Sequence, residues 1–337
     1  MSNKQKFLHT FFILSSISIL TTGCGYTIKK NKPSQPNTTD NTTQNTQQNN
    51  NTNNTSSNSQ DQNNTQHNNQ TQDNLQRKVY ECSATKNSED NFSDHFISNS
   101  HDDIAYPDNN KYTFNQLTVK DIEILFNHAH QNDPSVNQDI TLPNQDIWDN
   151  MSESQKVLYL VNSERCARGI RLFEGIDLDI QNSVTKPYAN YIANHESDFA
   201  ANPHQADGTT LKQRLENGGV VLGSNAVYIG ENIAEFGVAY SNGYQPVYAS
   251  AAKSVYGWLY LDKAENYGHR EFVLITGFDD DSGLPDQEGI ISVYTAKHQK
   301  QDNQGYWTNS FTVMDGFDPR PNWDNNLAHI QRVELYR

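Results

Sequence analysis

Apolar residues are distributed unevenly along the chain and divide it into three stretches. The first is a mainly apolar run from Phe7 to Leu20, and the second, residues 29–74, has no aliphatic or aromatic residue. From residue 79 onwards, apolar residues recur at spacings that are typical of amphipathic helices and strands. The pattern predicts a leader, a polar linker and a folded part that starts near residue 79.

The folded part combines helical and strand-like periodicity. Ser152 and Gln155 form a capping-box pattern, which predicts the start of a helix that stops at Gly169. Two alternating segments near the end of the chain, 289–295 and 306–314, predict antiparallel strands joined by a polar loop. Further helices are expected at 119–130, 180–200, 212–217 and 249–261.

The leader has the features of a bacterial lipoprotein signal. Lys4 and Lys6 precede the apolar run, whose fourteen residues are too few to cross a hydrocarbon core of about 30 Å as a helix. Small residues directly before Cys24 resemble a lipobox, in which cleavage leaves a lipidated cysteine. We predict a signal peptide over 1–23 and an extracytoplasmic protein anchored by Cys24 to a bacterial membrane, with ordinary secretion as the alternative.

The polar linker, residues 24–78, is predicted to be a disordered tether. Asn, Gln and Thr make up 30 of the 40 residues between 31 and 70. Such a segment cannot bury enough apolar surface to offset its conformational entropy. A self-associating Asn/Gln-rich tract is the alternative, but interleaved aromatic residues are missing. The tether would hold the folded part away from the membrane.

The rest of the chain is expected to form one main domain with additions at both ends. We predict an extension (79–149) that packs on the main domain (150–317), and a tail (318–337). The net charge of -15 and the pI near 5.1 argue against a nucleic-acid partner, and we expect a monomer. Cys82 and Cys166 lie in an oxidising compartment and are expected to form a disulfide, with two separate buried thiols as the alternative.

Three short polar motifs carry the candidate chemistry: Asn202-Pro203-His204, Gly230-Glu231-Asn232 and Gly268-His269-Arg270. The upstream string Asn162-Ser163-Glu164-Arg165 and Trp258 complete the set. In this order and spacing, the motifs resemble the bacterial branch of the CAP superfamily, which is named for cysteine-rich secretory proteins, antigen 5 and pathogenesis-related 1 proteins. The resemblance covers residues 150–317, about half of the chain.

This resemblance implies an α/β fold, namely an α-β-α sandwich with a central antiparallel sheet. It also implies a cleft in which two histidines and two acids converge. His204, Glu231 and His269 match three of these positions, and either Glu265 or Asp262 is expected to supply the fourth. The chain departs from the family where Glu271-Phe272-Val273-Leu274 follows the third motif, and it lacks the disulfides of eukaryotic members.

Two imidazoles and one or two carboxylates can be interpreted in two ways. As ligands, His204 and His269 would suit Zn²⁺ or another divalent metal with an open coordination position. Without a metal, His204, Glu231 and His269 could act as general acids and bases on a polar substrate. A buried polar network that holds helices to the sheet is the structural alternative.

The sequence therefore leaves three functions open. The first is a lipid-anchored protein that binds a lipid, a sterol or another cell-envelope component in the His/Glu cleft, either alone or together with a divalent metal. The second is a metal-dependent hydrolase of peptide or cell-wall substrates. The third is an interaction module without a catalytic role.

Overall fold

A five-stranded sheet lies at the centre of the fold in the computed structural model. The structure describes residues 79–80, 82, 102–136, 138–220, 229–240, 242–275, 289–302, 305–317 and 329–336. The predicted signal peptide, Cys24 and the tether all lie outside these residues. Within the described ranges, no helix is both long enough and apolar enough to span a bilayer.

The sheet is mixed rather than purely antiparallel. The strands are β1 Val79–Tyr80, β2 Ile176–Asp177, β3 Ile229–Tyr240, β4 Ile290–Asp302, β5 Gly305–Phe317, β6 Ile330–Gln331 and β7 Leu335–Tyr336. Its strand order is β3-β5-β4-β2-β6, and the long strands β3, β4 and β5 pair antiparallel. The short strand β2 runs parallel to β4. The N–H of Ile291 donates to the carbonyl of Gly175 (3.1 Å), just before β2. The expectation of an entirely antiparallel sheet was therefore wrong at this edge.

Helices cover both faces of the sheet, which confirms the mixed α/β class. Capping boxes start three of them: Thr118 with Asp121, Ser152 with Gln155, and Thr210 with Gln213. The helices are α1 Asn109–Phe114, α2 Val119–His130, α3 Gln145–Asn150, α4 Glu153–Ala167, α5 Leu178–Ile180, α6 Lys186–Asn194, α7 Glu196–Ala201, α8 Leu211–Asn217, α9 Ser250–Tyr260 and α10 Gly268–Val273.

The helix predicted over 180–200 is not continuous. A π-helical turn, Gln181–Thr185, separates α5 from α6. Pro187 lies at the start of α6 and has no N–H to donate to the preceding turn, which favours this wider turn. His195 then leaves the helical conformation with φ -131° and ψ 58°, which separates α6 from α7.

Alternation along the strands assigns each side chain to one of two faces. On one face, Ala234 and Phe236 belong to the core that includes α4 and α9, and we call it the α9 face. On the other face, Ile233 and Phe311 pack with residues of α6 and α7, and we call it the α6 face. Consecutive residues of β3 therefore contact different sets of helices.

The N-terminal extension packs on the outer side of α9. The Tyr256 hydroxyl donates to the carbonyl of Ile104 (2.9 Å), and the Lys253 ammonium donates to the carbonyl of Thr113 (2.7 Å). Phe126 meets Tyr256 edge to face, with ring centroids 5.6 Å apart.

Covalent and strand contacts also tie the two ends of the folded part to its core. Cys82 forms a disulfide with Cys166 at the end of α4, as expected from the sequence, with 5.7 Å between the Cα atoms. Of the tail, β6 pairs with β2 and β7 pairs with β1. The tail therefore contributes strands to the fold, a role that the sequence pattern did not reveal.

Candidate functional site

His204 and Glu231 meet where a turn approaches β3. The turn follows α7 and is closed by the N–H of Gln205, which donates to the carbonyl of Asn202 (3.1 Å). Nδ1 of His204 lies 2.7 Å from Oε1 of Glu231. The Glu231 side chain is 2% exposed and that of His204 is 18% exposed. His204 is therefore the accessible member of a pair whose carboxylate is buried.

Arg214 on α8 holds the other oxygen of Glu231. One terminal nitrogen lies 2.5 Å from Oε2, and the other donates to the carbonyls of His204 (3.1 Å) and Thr209 (2.9 Å). The guanidinium lies over the ring of Tyr188, 3.6 Å from its centroid, where a cation is attracted to the π-face. Arg214 thus fixes both the acid and the turn that carries the histidine.

These contacts keep Glu231 ionised. Burial by itself raises the pKa of this carboxyl, but the charge of Arg214 and the hydrogen bond from His204 outweigh it, so the pKa lies below its usual value. An ionised Glu231 can only accept hydrogen bonds, so Nδ1 of His204 carries a proton and donates it. Nε2 is then the nitrogen through which His204 would meet a ligand or a substrate.

A further buried acid, Asp315, lies directly opposite Glu231 in the register of β3 and β5. Thr185 donates its hydroxyl to Oδ2 of Asp315 (2.7 Å). The motifs did not identify Asp315, and the strand predicted over 306–314 stopped just before it. Extending that strand by one residue and pairing it with the Gly-Glu-Asn motif would have found the contact.

His269 forms a second pair, with Asp262. Its Nδ1 lies 2.6 Å from Oδ1 of Asp262, and both side chains are fully buried. The N–H of Arg270 donates to Oδ2 of the same acid (3.0 Å). Asn266 and Tyr267, directly before α10, have φ of 52° and 62°, a conformation that costs energy for non-glycine residues and is frequent at functional sites.

Of the two acids proposed for the fourth cleft position, Asp262 is the one that contacts His269. Glu265 lies in the 3-10 turn Lys263–Glu265, and its side chain is partly exposed. The hydrogen bonds to Asp262 come from the ring of His269 and the backbone of Arg270, the next residue.

The residues of β3 that contact the two histidines point to opposite faces of the sheet. Glu231, with His204, belongs to the α6 face, whereas the neighbouring Asn232 points to the α9 face and donates to the carbonyl of His269 (2.9 Å). Alternation along β3 therefore directs Glu231 and Asn232 to different faces, and the convergence of both histidines in one cleft stays a prediction. A divalent metal at His204 and His269 likewise stays a prediction. Among the described residues, no group of three or more His, Cys, Asp and Glu side chains could hold a metal ion.

The Asn-Ser-Glu-Arg motif on α4 has structural contacts. Asn162 exchanges two 3.0 Å hydrogen bonds with the backbone of Phe173, and Arg165 donates to the carbonyl of Val273 (2.8 Å). Glu164 joins a buried ionic network with the extension, which contributes His130 (2.9 Å). Asn162 and Arg165 therefore connect α4 to neighbouring segments of the backbone.

A cavity of about 210 Å³ lies away from both histidine pairs. It is formed between the extension, at Trp148 and Leu117, and the main domain, at Lys156 and Val247. No catalytic motif contributes to its lining, so the candidate chemistry rests on the His204 site, which we define as His204, Arg214 and Glu231.

Comparisons with known proteins found no family model, no curated protein and no solved structure that matches this chain.

Proposed function

We propose that the protein is an extracytoplasmic, CAP-like binding protein that holds a polar cell-envelope component at the His204 site. The observation that carries this proposal is the partly exposed imidazole of His204, which is hydrogen-bonded at 2.7 Å to a buried carboxylate. The motif order that resembles the CAP superfamily supports it, as does the placement of helices on both faces of the sheet. The CAP-like sandwich itself is part of the proposal.

The chemistry of the site favours a glycan or peptide ligand over a sterol or a lipid. Its functional groups are an imidazole, a guanidinium and a carboxylate, and such groups recognise hydroxyl, amide and carboxyl partners by hydrogen bonds. A sterol would instead need a concave and largely apolar pocket. Cell-wall fragments offer all three kinds of polar partner, so we take them as the ligand class.

Lipidation at Cys24 and a tether over 24–78 complete the proposal. The tether has the length to lift the domain off a membrane, since the polar stretch from 29 to 74 alone spans roughly 150 Å when fully extended. Domain and tether together would present the His204 site to the wall layer. Mass spectrometry of the mature N-terminus tests this part, because a free, unmodified Cys24 would contradict it.

The binding proposal is tested by titrating soluble peptidoglycan fragments into the wild-type protein and the His204→Ala variant by calorimetry. We expect saturable binding that the variant loses at least tenfold. The matched control is His195→Ala, since His195 is an exposed histidine that stacks on Tyr191 with centroids 4.0 Å apart. Binding that is equal in all three proteins, or absent from the wild type, would contradict the proposal.

Hydrolysis of the same ligand class is a second candidate function, and the bond between His204 and Glu231 favours it. A carboxylate at Nδ1 orients the imidazole and stabilises its protonated form, as is required of a general base that accepts a proton at Nε2. Release of new amino or reducing ends from peptidoglycan, lost in His204→Ala and kept in His195→Ala, would support this candidate. Intact fragments after prolonged incubation would leave binding as the function.

A further inference from the structure

Three polar side chains from adjacent strands form one row on the α6 face. In the strand register, Glu231 of β3 lies opposite Asp315 of β5, and Asp315 lies opposite Ser292 of β4. All three residues are buried, with Asp315 and Ser292 at 0% exposure. Directly opposed residues on one face have Cβ atoms about 4.5–5.5 Å apart, so the two carboxyl groups are immediate neighbours.

The hydrogen bonds around the row can be counted proton by proton. The single hydroxyl proton of Thr185 goes to Oδ2 of Asp315 (2.7 Å), so Ser292, 2.5 Å from the Thr185 oxygen, must be the donor in that contact. Among the described residues, Oδ1 of Asp315 is buried and has no donor. Glu231 already accepts from His204 and Arg214. Two carboxyl groups in contact can form a hydrogen bond only if one of them carries a proton.

We propose that Asp315 is held protonated and donates its proton to the carboxylate of Glu231, which makes Asp315 a positioning residue for the His204 site. This inference rests on the proposed function, since it assigns a role at the same site. A protonated Asp315 gives Glu231 a hydrogen-bond donor in addition to His204 and Arg214, and this neutral donor adds no charge to the site. It thereby keeps Glu231 anionic and aligned on His204.

The electrostatics of the row agree with this geometry. Burial, together with the neighbouring charge of Glu231, raises the pKa of Asp315 well above its usual value, although Arg214 acts in the opposite direction. Two like charges at this distance disfavour double ionisation, and a single guanidinium neutralises only one of them. The charged and titratable groups that face the pair are Arg214, His204 and Tyr188.

The sign of the pH effect follows from the direction of the shift. An acid whose pKa is raised by folding stabilises the fold fully below its unfolded pKa of about 3.9, and this contribution is lost as the pH rises towards the folded value. One proton changes the unfolding equilibrium constant by up to tenfold per pH unit in that window. Asn at position 315 would keep both contacts without a proton to lose, because its amide donates to Glu231 and its carbonyl accepts from Thr185.

The test compares the wild-type protein with Asp315→Asn and Asp315→Ala between pH 5 and 8. We expect Asp315→Asn to gain up to tenfold in the folding equilibrium constant, relative to the wild type, for each pH unit between pH 5 and 8. Asp315→Ala should be destabilised at every pH. A carboxylic-acid C=O infrared band should be present in the wild type at pH 7 and reduced in Asp315→Asn.

These readouts need no ligand, so they can fail independently of the binding proposal. An Asp315→Asn variant that is as unstable as Asp315→Ala, or that lacks the pH-dependent gain, would overturn the proton assignment. The same holds if the two infrared spectra are identical in the carboxylic-acid region. For the positioning role, Asp315→Asn should also retain binding of peptidoglycan fragments, while Asp315→Ala should weaken it; equal loss in both variants would overturn that role.

Discussion

Replacing Asp133 by Asn should break the ionic network that joins the extension to the main domain. Oδ2 of Asp133 accepts from Arg168 (2.8 Å) and from Arg270 (2.7 Å), and Oδ1 accepts from the backbone N–H of Ser135 (2.9 Å). The Asp133 side chain is 1% exposed. An Asn side chain keeps the shape and the acceptor for Ser135, but it turns an N–H₂ group towards two guanidinium groups. The substitution therefore removes charge with little change in volume.

The expected loss of stability is large because two buried cations share this one acid. At an effective dielectric constant of about 20, two charges 4 Å apart interact with about 4 kcal/mol. Desolvation offsets part of the attraction in the intact network, and Glu164 still pairs with Arg168 after the substitution, yet breaking a buried ion pair typically costs about 3–5 kcal/mol. We expect the free energy of unfolding to fall by about 4 kcal/mol.

Urea denaturation at pH 7 measures this loss, with Asp139→Asn as the matched control. Asp139 lies in the same segment and is exposed, so its replacement should change stability by less than about 0.5 kcal/mol. A loss below about 1 kcal/mol for Asp133→Asn would refute the reasoning, as would equal losses in both variants.

The pH dependence gives a second check on the same acid. Burial raises the pKa of Asp133, but Arg168 and Arg270 outweigh it, so the pKa lies well below its usual value. An acid with a depressed pKa stabilises the fold above its unfolded pKa, and this contribution is lost as the pH falls through the folded value. The difference between the wild type and Asp133→Asn should therefore be constant above about pH 5 and should shrink below about pH 4.

Three further substitutions test other parts of the account by urea denaturation. Burial and the charge of a neighbouring Glu raise the pKa of Glu235 to about 7, so the stabilising effect of its protonated form is lost as the pH rises through 7. The Glu235→Gln variant should therefore be more stable than the wild type at pH 8, by up to about 2 kcal/mol, and equally stable at pH 5. A Cβ on Gly230 would lie 2.4 Å from the buried ring of Phe272, so Gly230→Ala should cost about 1–3 kcal/mol, whereas Gly257→Ala, whose Cβ meets its nearest atom at 3.8 Å, should not destabilise. Thr210→Ala removes the capping box of α8 and should cost about 1 kcal/mol; no change would contradict that role for the cap.

Helices with strong local signals were predicted well from the sequence. The helix expected over 119–130 has the observed bounds Val119–His130, and the capping-box helix starts directly after Ser152 as predicted. Caps and 3.6-residue periodicity depend on neighbours a few positions away, so a single sequence contains them. The helix expected over 180–200 failed where Pro187 and His195 interrupt the local pattern.

Long-range features were not predictable in the same way. The strand expected over 289–295 runs from Ile290 to Asp302, and the tail strands β6 and β7 carried no periodic signal of their own. Two-residue strands are fixed by the neighbour that they pair with, and no short window of sequence records that neighbour. The strand register that brings Asp315 to Glu231 is also a long-range feature that the sequence pattern does not show.

The candidate site was predicted residue by residue but not as an assembly. His204 and Glu231 meet as expected, and so do His269 and one of its two candidate acids, Asp262. The motifs do not reveal towards which face of the sheet each side chain points. Because side chains alternate along a strand, the consecutive motif residues Glu231 and Asn232 point to opposite faces of the sheet.

A set of double-mutant cycles in the free energy of unfolding tests the central claim most directly, namely that His204 works with Glu231 and not with His269. It requires the single Ala variants of the three residues, the His204/Glu231 double variant and the His204/His269 double variant. The account predicts a coupling energy of about 1–3 kcal/mol between His204 and Glu231, and effects of His204 and His269 that add within about 0.5 kcal/mol. Coupling of the two histidines above about 1 kcal/mol, or additive effects of His204 and Glu231, would contradict it.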